Sequence, residues 1–102
     1  MKVKYRVKNG VLYIFLSGEL DECTSKPTKN AIDKIINENQ NAKSVVFNFS
    51  ELTFMDSTGI GMLLGRYKKI KGSGMGIFIE NPTLTVDKVL EISGLYKIMP
   101  KI

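Results

Sequence analysis

Histidine is absent from this chain, cysteine occurs once, and no apolar run is long enough to cross a membrane. Without histidine the chain lacks the usual general base and the commonest transition-metal ligand, which excludes a serine–histidine–acid hydrolase. The single cysteine, Cys23, forms neither an intramolecular disulfide nor a cysteine cluster for a metal. The longest apolar runs, such as Val11–Leu16, are far shorter than a spanning helix, and the amino terminus carries no apolar signal core. We therefore expect a cytoplasmic protein without a membrane partner, a cofactor or a catalytic site.

The length of the chain limits the number of domains, and its net charge limits the kinds of partner. The 102 residues predict a single domain, residues 1–102, with one hydrophobic core. A net charge of +5, from 15 basic and 10 acidic residues, raises the question of nucleic-acid binding. The basic residues are divided between the alternating segment Lys2–Lys8 and the later segment Arg66–Lys71, and no aromatic-rich basic module accompanies them. We therefore expect no direct nucleic-acid partner.

The first half of the chain has a strand, strand, helix, strand pattern. Lys2–Lys8 and Val11–Ser17 read as an antiparallel hairpin closed by the turn pair Asn9-Gly10. A helix is predicted from Thr24 or Ser25, because Pro27 is tolerated in a first turn. Ser44–Phe49 is apolar at nearly every position, which is typical of a central strand covered on both faces.

The second half repeats the alternation of helix and strand. The second helix is predicted to bury one apolar stripe: Ile60, Leu63, Leu64, Tyr67 and Ile70. Gly61 and Gly65 weaken that helix, so we expect close packing there on the sheet or on a partner. After a strand at Met75–Glu80, a third helix is predicted over an apolar set: Leu84, Val86, Val89, Leu90 and Ile92. With Leu95–Met99 as a last short edge strand, the order ββαβαβα(β) predicts an α/β fold, a mixed sheet of four or five strands packed by three or more helices.

Loops after parallel strands collect at one edge of a sheet, where α/β proteins place their sites. In this chain those loops are Gly18–Thr24, Ser50–Gly59 and Glu80–Thr83, and none of them contains lysine or arginine. They carry six acidic residues: Glu19, Asp21, Glu22, Glu51, Asp56 and Glu80. Such an edge repels phosphate and attracts a basic protein surface, which counts against a nucleotide loop at Gly59-x-Gly61.

Asp56-Ser57-Thr58-Gly59 marks the start of the second helix. An aspartate there is typical of a cap that accepts the first free backbone N–H groups. The hydroxyl of Ser57 lies in the positive field of the helix N-terminus. On the pattern alone, a plain helix cap and a functional serine both remain open.

The segment Phe54–Lys71, FMDSTGIGMLLGRYKKIK, resembles the signature of the STAS domain family, and in particular its bacterial anti-sigma factor antagonists of the sporulation type. Gly18–Asp21, Val45–Phe49 and Ile92–Ile98 resemble the same members, although the chain ends before the C-terminal helix usual in the family. The resemblance implies a STAS-like fold, phosphorylation of Ser57 (with Thr58 as second choice), an anti-sigma factor that is a serine kinase, and a phosphatase that reverses the modification.

The resemblance also implies a regulator that is not an enzyme. Its unphosphorylated form is expected to bind the anti-sigma factor and free the sigma factor, and phosphorylation is expected to prevent this. The expected docking residues are Glu19, Asp21, Glu22, Asp56, Ser57, Thr58, Gly59, Gly61, Met62 and Arg66. A nucleotide-binding STAS module and an antagonist of a general stress-response pathway are the alternatives. Arg66-Tyr67-Lys68 favours the sporulation type by resemblance only.

Overall fold

The strands of the sheet lie in the order in which they occur in the chain, β1-β2-β3-β4, in a computed structural model that describes residues 1–102. The elements are β1 (Lys2–Lys8), β2 (Val11–Leu20), α1 (Ser25–Asn37), β3 (Ser44–Met55), α2 (Ser57–Gly72), β4 (Gly76–Glu80), α3 (Leu84–Ser93) and a 3₁₀ turn (Leu95–Lys97). The predicted α/β order is therefore confirmed, with a mixed sheet of four strands and three α-helices. None of the helices combines the length and apolar character needed to span a bilayer.

The predicted hairpin is also confirmed. β1 pairs antiparallel with β2, and Asn9 and Gly10 between them have φ angles of 52° and 79°. Two positive φ angles are what a two-residue hairpin loop of type I′ requires, and asparagine followed by glycine adopts them readily. β2, β3 and β4 are parallel and are connected through α1 and α2, because parallel neighbours need a long crossover connection.

The hydrophobic core lies between the sheet and the helices on one of its faces. On β2 the buried residues alternate strictly as Leu12, Ile14 and Leu16, while the residues between them are half-exposed. α1 contributes Ile32 and Ile36, and α2, which contacts α1, contributes Leu63 and Ile70. These seven side chains belong to one cluster of 21 buried residues. The opposite face of β1, β2 and β4 has no buried residue.

The prediction that β3 ends at Phe49 is wrong, because this strand continues to Met55. The register of β3 against β2 shifts twice, so β3 holds one extra residue at each of two bulges. Buried side chains therefore recur every third residue, at Phe49, Leu52 and Met55, and the alternation that marks a strand in a sequence is lost. β2 likewise continues to Leu20, beyond the predicted end at Ser17.

The predicted last strand at Leu95–Met99 is wrong as well. Gly94 has a φ of 77° and ends α3, and the chain then forms the 3₁₀ turn. Strand-like pairing is limited to one parallel bridge between Ile79 and Lys101, where the N–H of Ile79 donates to the carbonyl of Pro100 at 3.0 Å. Leu95 and Met99 are buried while Lys97 between them is exposed, which favours the turn, because an extended strand would place all three on one side.

Candidate functional site

Asp56 caps the N-terminus of α2. Its backbone is extended (φ −113°, ψ −172°), and its Oδ1 accepts hydrogen bonds from the N–H groups of Thr58 at 2.9 Å and Gly59 at 3.2 Å. The N–H of Asp56 donates to the carbonyl of Leu20 at 3.3 Å, which holds the ends of β2 and β3 together. The predicted helix cap is confirmed, and Asp56 joins the start of α2 to the end of β2.

Ser57 is the first residue of α2, and its side chain is exposed, as is that of Thr58. The hydroxyl of Ser57 is thus accessible at a helix terminus with partial positive charge. The cap carboxylate of Asp56 already occupies two of the free N–H groups of that terminus. A phosphate on Ser57 would therefore meet a neighbouring negative charge and would find part of the N-terminal hydrogen-bonding capacity in use.

Gly59 and Gly61 are two residues apart and have different surroundings. A β-carbon at Gly59 would lie 2.8 Å from Cγ of Met55 and 3.0 Å from Cγ of Leu20, so the helix needs glycine there to approach the sheet. A β-carbon at Gly61 or Gly65 would have no atom within 4 Å. The expected close packing of Gly61 and Gly65 on the sheet is therefore wrong, and packing on a partner remains as the prediction for them.

The loop between β2 and α1 lies beside this helix terminus, because Leu20 pairs with Met55 just before it. Asp21 Oδ1 accepts from the N–H groups of Cys23 at 2.9 Å and Thr24 at 3.1 Å, which folds the loop into a tight turn. We use the name acidic rim for the acidic residues that this arrangement brings near Ser57: Glu19, Asp21, Glu22 and Asp56.

Glu51 and Glu80 do not belong to this rim, which corrects the predicted edge of six acids. Glu51 lies within β3, where it pairs with Ser17, and at about 3.3 Å per residue it is up to about 16 Å from Asp56. β4 ends opposite the middle of β3, where Glu80 pairs with Asn48 and accepts a hydrogen bond from its Nδ2 at 2.8 Å. The length of β3, which the sequence does not reveal, separates these carboxylates from Ser57.

Met62 and Arg66 were expected at the docking surface, but the structure places both side chains inside the folded chain. They are only 6% and 7% exposed. Arg66 Nε lies 2.8 Å from Oδ1 of Asp33 on α1, although its N–H is not aligned with that oxygen. The pair is therefore an electrostatic contact that joins α1 to α2. The predicted apolar stripe is offset for the same reason, since Arg66 takes a core position and Leu64 is 36% exposed.

An apolar groove beside Ser57 was missed by sequence reasoning. Its volume is about 300 Å³, and we call it the Ser57 groove; its lining residues are Ser57 and Ile60 of α2 with Val89, Ile92 and Ser93 of α3. The helix predicted over the five apolar residues of α3 is confirmed, but Ile92 is 88% exposed and Leu84 is 74% exposed. Only Val86 and Leu90 are buried there. The available signal was that these five residues spread too widely around a helix to share one face.

A polar network at the end of α3 fastens the last residues of the chain. Tyr96 donates a hydrogen bond through Oη to Oδ1 of Asp87 at 2.5 Å, and Lys101 Nζ lies 3.0 Å from the same oxygen. The hydrogen bonds from Tyr96 and Lys101 lower the pKa of Asp87. Burial, together with the hydrogen bond to Asp87, raises the pKa of Tyr96. The network thereby supports the helix that carries Val89 and Ile92.

Residues 2–102 match the family model of the STAS domain. The anti-sigma F factor antagonist of Paenibacillus polymyxa is 41% identical over 102 residues, which cover 98% of this chain and 85% of that protein. The solved structure of the anti-sigma factor antagonist SpoIIAA in its unphosphorylated form has a TM-score of 0.79 at 30% identity, covering 99% of this chain and 88% of that one. The phosphorylated form of Bacillus SpoIIAA has a TM-score of 0.70 at 29% identity, covering 99% and 91%. The chain therefore belongs to the STAS domain family, among the anti-sigma factor antagonists.

Proposed function

We propose that the unphosphorylated chain binds an anti-sigma factor that is also a serine kinase, that this binding frees the sigma factor, and that phosphorylation of Ser57 prevents it. The observation that carries the proposal is the position of Ser57, an exposed hydroxyl where the acidic rim meets an uncovered apolar groove. The similarity to proteins named anti-sigma F factor antagonist and to the two forms of SpoIIAA supports it. A phosphatase returns the chain to the active form.

The docking surface combines charge with apolar area. It comprises the acidic rim, Ser57, Thr58 and Gly61, and the apolar side chains of Ile60, Leu64, Val89 and Ile92. Covering a side chain as exposed as Ile92 stabilises a complex by about 1.5–3 kcal/mol. Gly61 leaves the outer side of α2 bare, so a partner backbone can approach it closely. Gly59, Met62 and Arg66 support this surface from beneath.

Phosphorylation acts on this surface through charge. The phosphate adds about −1.5 to −2 charges, and the N-terminus of α2 stabilises it by about 0.3–1 kcal/mol. Asp56 and the acidic rim repel it, and enclosing it without a partner cation in an interface costs several kcal/mol. A net penalty of about 3–4 kcal/mol weakens docking by two to three orders of magnitude, since about 1.4 kcal/mol is tenfold in affinity. The fold remains intact, because Ser57 is exposed and makes no hydrogen bond through its side chain.

One experiment tests partner, chemistry and site together. The chain is incubated with the candidate anti-sigma kinase, ATP and magnesium, and the peptide that spans Ser57 and Thr58 is analysed by mass spectrometry. We expect one phosphate on Ser57, none on the Ser57→Ala variant, and unchanged phosphorylation of Thr58→Val. Phosphate on Thr58, or continued phosphorylation of Ser57→Ala, contradicts the assignment.

The nucleotide-binding alternative is disfavoured by the same geometry. A phosphate cradle needs free backbone N–H groups, whereas Asp56 occupies those of Thr58 and Gly59. The contact of Gly59 with the sheet leaves no space beneath this turn. Calorimetric titration with ATP and GTP distinguishes the two functions, and micromolar binding that Ser57→Asp abolishes would favour the nucleotide. Between the two pathways, the 41% identity to an anti-sigma F factor antagonist favours sporulation over general stress response.

A further inference from the structure

The face of the sheet opposite α1 and α2 carries a row of basic side chains beside aromatic rings. The register pairs Lys2 with Ser17, Lys4 with Phe15 and Arg6 with Tyr13. Paired residues share a face, so the basic side chains of β1 stand next to the aromatic side chains of β2. On β4, Phe78 pairs with Val46, which itself pairs with Tyr13, so a third ring lies on this face. We call this surface the open face: Lys2, Lys4, Arg6, Lys8, Tyr13, Phe15 and Phe78.

The outer side chains of the open face are accessible, whereas Val46 and Asn48 of β3, which lie on the same face between the rings, are only 3% and 8% exposed. The four basic residues of β1 are exposed, and the three aromatic residues are half-exposed. The Arg6 guanidinium lies 5.8 Å from the centre of the Phe15 ring, which places cation and ring in one continuous surface. At one end of the face, a shallow depression of about 630 Å³ is bordered by Lys2, Lys4, Phe15 and Glu51.

We propose that the open face binds single-stranded nucleic acid. Alternate residues of a strand repeat at about 6.6–6.8 Å, so Lys2, Lys4, Arg6 and Lys8 form a straight row of cations that an extended phosphate backbone can follow. The rings of Tyr13, Phe15 and Phe78 lie inward of this row, where unstacked bases of the same strand can pack on them. A row of cations beside exposed rings on an open sheet is the combination that single strands require.

The proposal departs from the expectation of no direct nucleic-acid partner, which rested on the lack of an aromatic-rich basic module along the sequence. Along β1 the basic residues alternate with Val3, Tyr5 and Val7, which point to the helix-covered face. The rings that accompany the basic row come from β2 and β4, far away in the sequence. Only strand pairing brings them together, so a search of consecutive residues does not find the combination.

Charge also orients the nucleic acid. The acidic rim repels phosphate, so a strand is expected to keep to the open face and away from Ser57. Two carboxylates border the face, Glu51 and Glu80, and Glu80 accepts a hydrogen bond from Asn48. Lysine on an edge strand also prevents unwanted pairing of strands. That protective role needs no aromatic rings and predicts no binding of nucleic acid.

The test is fluorescence anisotropy of labelled oligothymidylate and oligouridylate at low salt, with the whole chain. Four phosphate contacts at about 0.7 each predict a slope of about −3 in log K against log salt concentration. The double variant Lys4→Glu/Arg6→Glu should weaken binding at least about tenfold and reduce the slope. The matched control Lys26→Glu/Lys29→Glu makes the same change in net charge on the exposed side of α1 and should change binding less than about threefold.

A third variant separates nucleic acid from other polyanions. Tyr13→Leu keeps an apolar side chain but removes a stacking ring, and it should weaken binding about tenfold. Circular dichroism verifies the fold of each variant. No binding at low salt overturns the proposal, as does an equal loss in the α1 control. Binding that is insensitive to Tyr13→Leu and equally strong for polyglutamate also overturns it, because the face would then attract acidic proteins by charge alone.

Discussion

Helix α2 has an inner side that packs against the rest of the fold and an outer side that faces solvent. On the inner side, Gly59 approaches the sheet closely and Arg66 is buried against Asp33. On the outer side, Ser57 and Gly61 face solvent, and nothing lies within 4 Å of a β-carbon built on Gly61. The inner residues determine where the helix lies, and the outer residues are available to a partner. A motif that reads as one unit in the sequence therefore divides into a supporting half and an exposed half.

The largest expected effect is on the outer side. Ser57→Asp places a negative charge beside Asp56, and we expect it to weaken binding of the anti-sigma factor by about a hundredfold or more. Ser57→Ala should bind about as well as the unmodified chain, because the hydroxyl itself makes no hydrogen bond. Surface plasmon resonance measures both affinities, and thermal melting should show nearly equal stability. Tight binding by Ser57→Asp would refute the charge mechanism.

The next effect is on the inner side. Asp33→Ala leaves the charged Arg66, only 7% exposed, without its ion-pair partner. We expect this variant to lose about 2–3 kcal/mol of unfolding free energy, less than for a fully enclosed pair because the side chain of Asp33 is 22% exposed. Arg66→Met removes the charge, keeps apolar volume, and leaves Asp33 near Lys69, at 3.6 Å, so it should cost less.

Urea unfolding measures both variants of the ion pair. The folded fraction of each should bind the anti-sigma factor within about twofold of the unmodified chain, a change of about 0.4 kcal/mol or less. If Arg66→Met keeps full stability and loses binding, Arg66 belongs to the docking surface after all.

The two glycines give the most direct test of the two sides. Gly59→Ala forces a β-carbon against Met55 and Leu20, and we expect it to lower the unfolding free energy by about 1–3 kcal/mol. Gly61→Ala meets open space, and it should raise stability by up to about 1 kcal/mol through helix propensity. Urea unfolding distinguishes the two variants, because the change in unfolding free energy should be negative for Gly59→Ala and positive for Gly61→Ala. Two changes of the same sign would show that the sides are not distinct.

Sequence reasoning predicted the element order well because its signals are local. Asn9-Gly10 requires two positive φ angles, and Asp56 caps whichever helix follows it. It failed where the structure depends on distant residues. The bulges of β3 arise from pairing with β2, and they hide a strand that carries the chain to Met55.

In the candidate site, too, local signals were predictable from the sequence and contacts between distant residues were not. The resemblance identified Ser57, and the pairing of Leu20 with Met55 brings the acidic rim to it. Arg66 was expected at the docking surface by resemblance, whereas its side chain is buried against Asp33 on another helix. Ile92 is apolar, yet it lies 88% exposed beside the Ser57 groove. Neither position follows from residue type, because each depends on contacts between distant parts of the chain.

A smaller effect is expected at the wall of the groove that α3 contributes. Ile92→Ser removes an exposed apolar side chain, so stability should change by less than about 0.5 kcal/mol. Binding of the anti-sigma factor should weaken at least about tenfold, because docking no longer covers that side chain. Leu84→Ser is the matched control, since Leu84 is exposed on the same helix but does not line the groove. Equal binding by all three proteins would exclude the groove from the docking surface.

The smallest effect concerns the network that supports α3. The pKa of Asp87 is lower in the folded chain than its ordinary value of 3.8, so the unfolded chain binds more protons as the pH falls toward that range. The contribution of Asp87 to stability is therefore complete above about pH 5 and is lost as the pH falls below about 4. Urea unfolding from neutral to acid pH should show a smaller acid loss in Asp87→Asn than in the unmodified chain. Identical pH dependence in the two proteins would mean that Tyr96 and Lys101 hold α3 without help from the charge of Asp87.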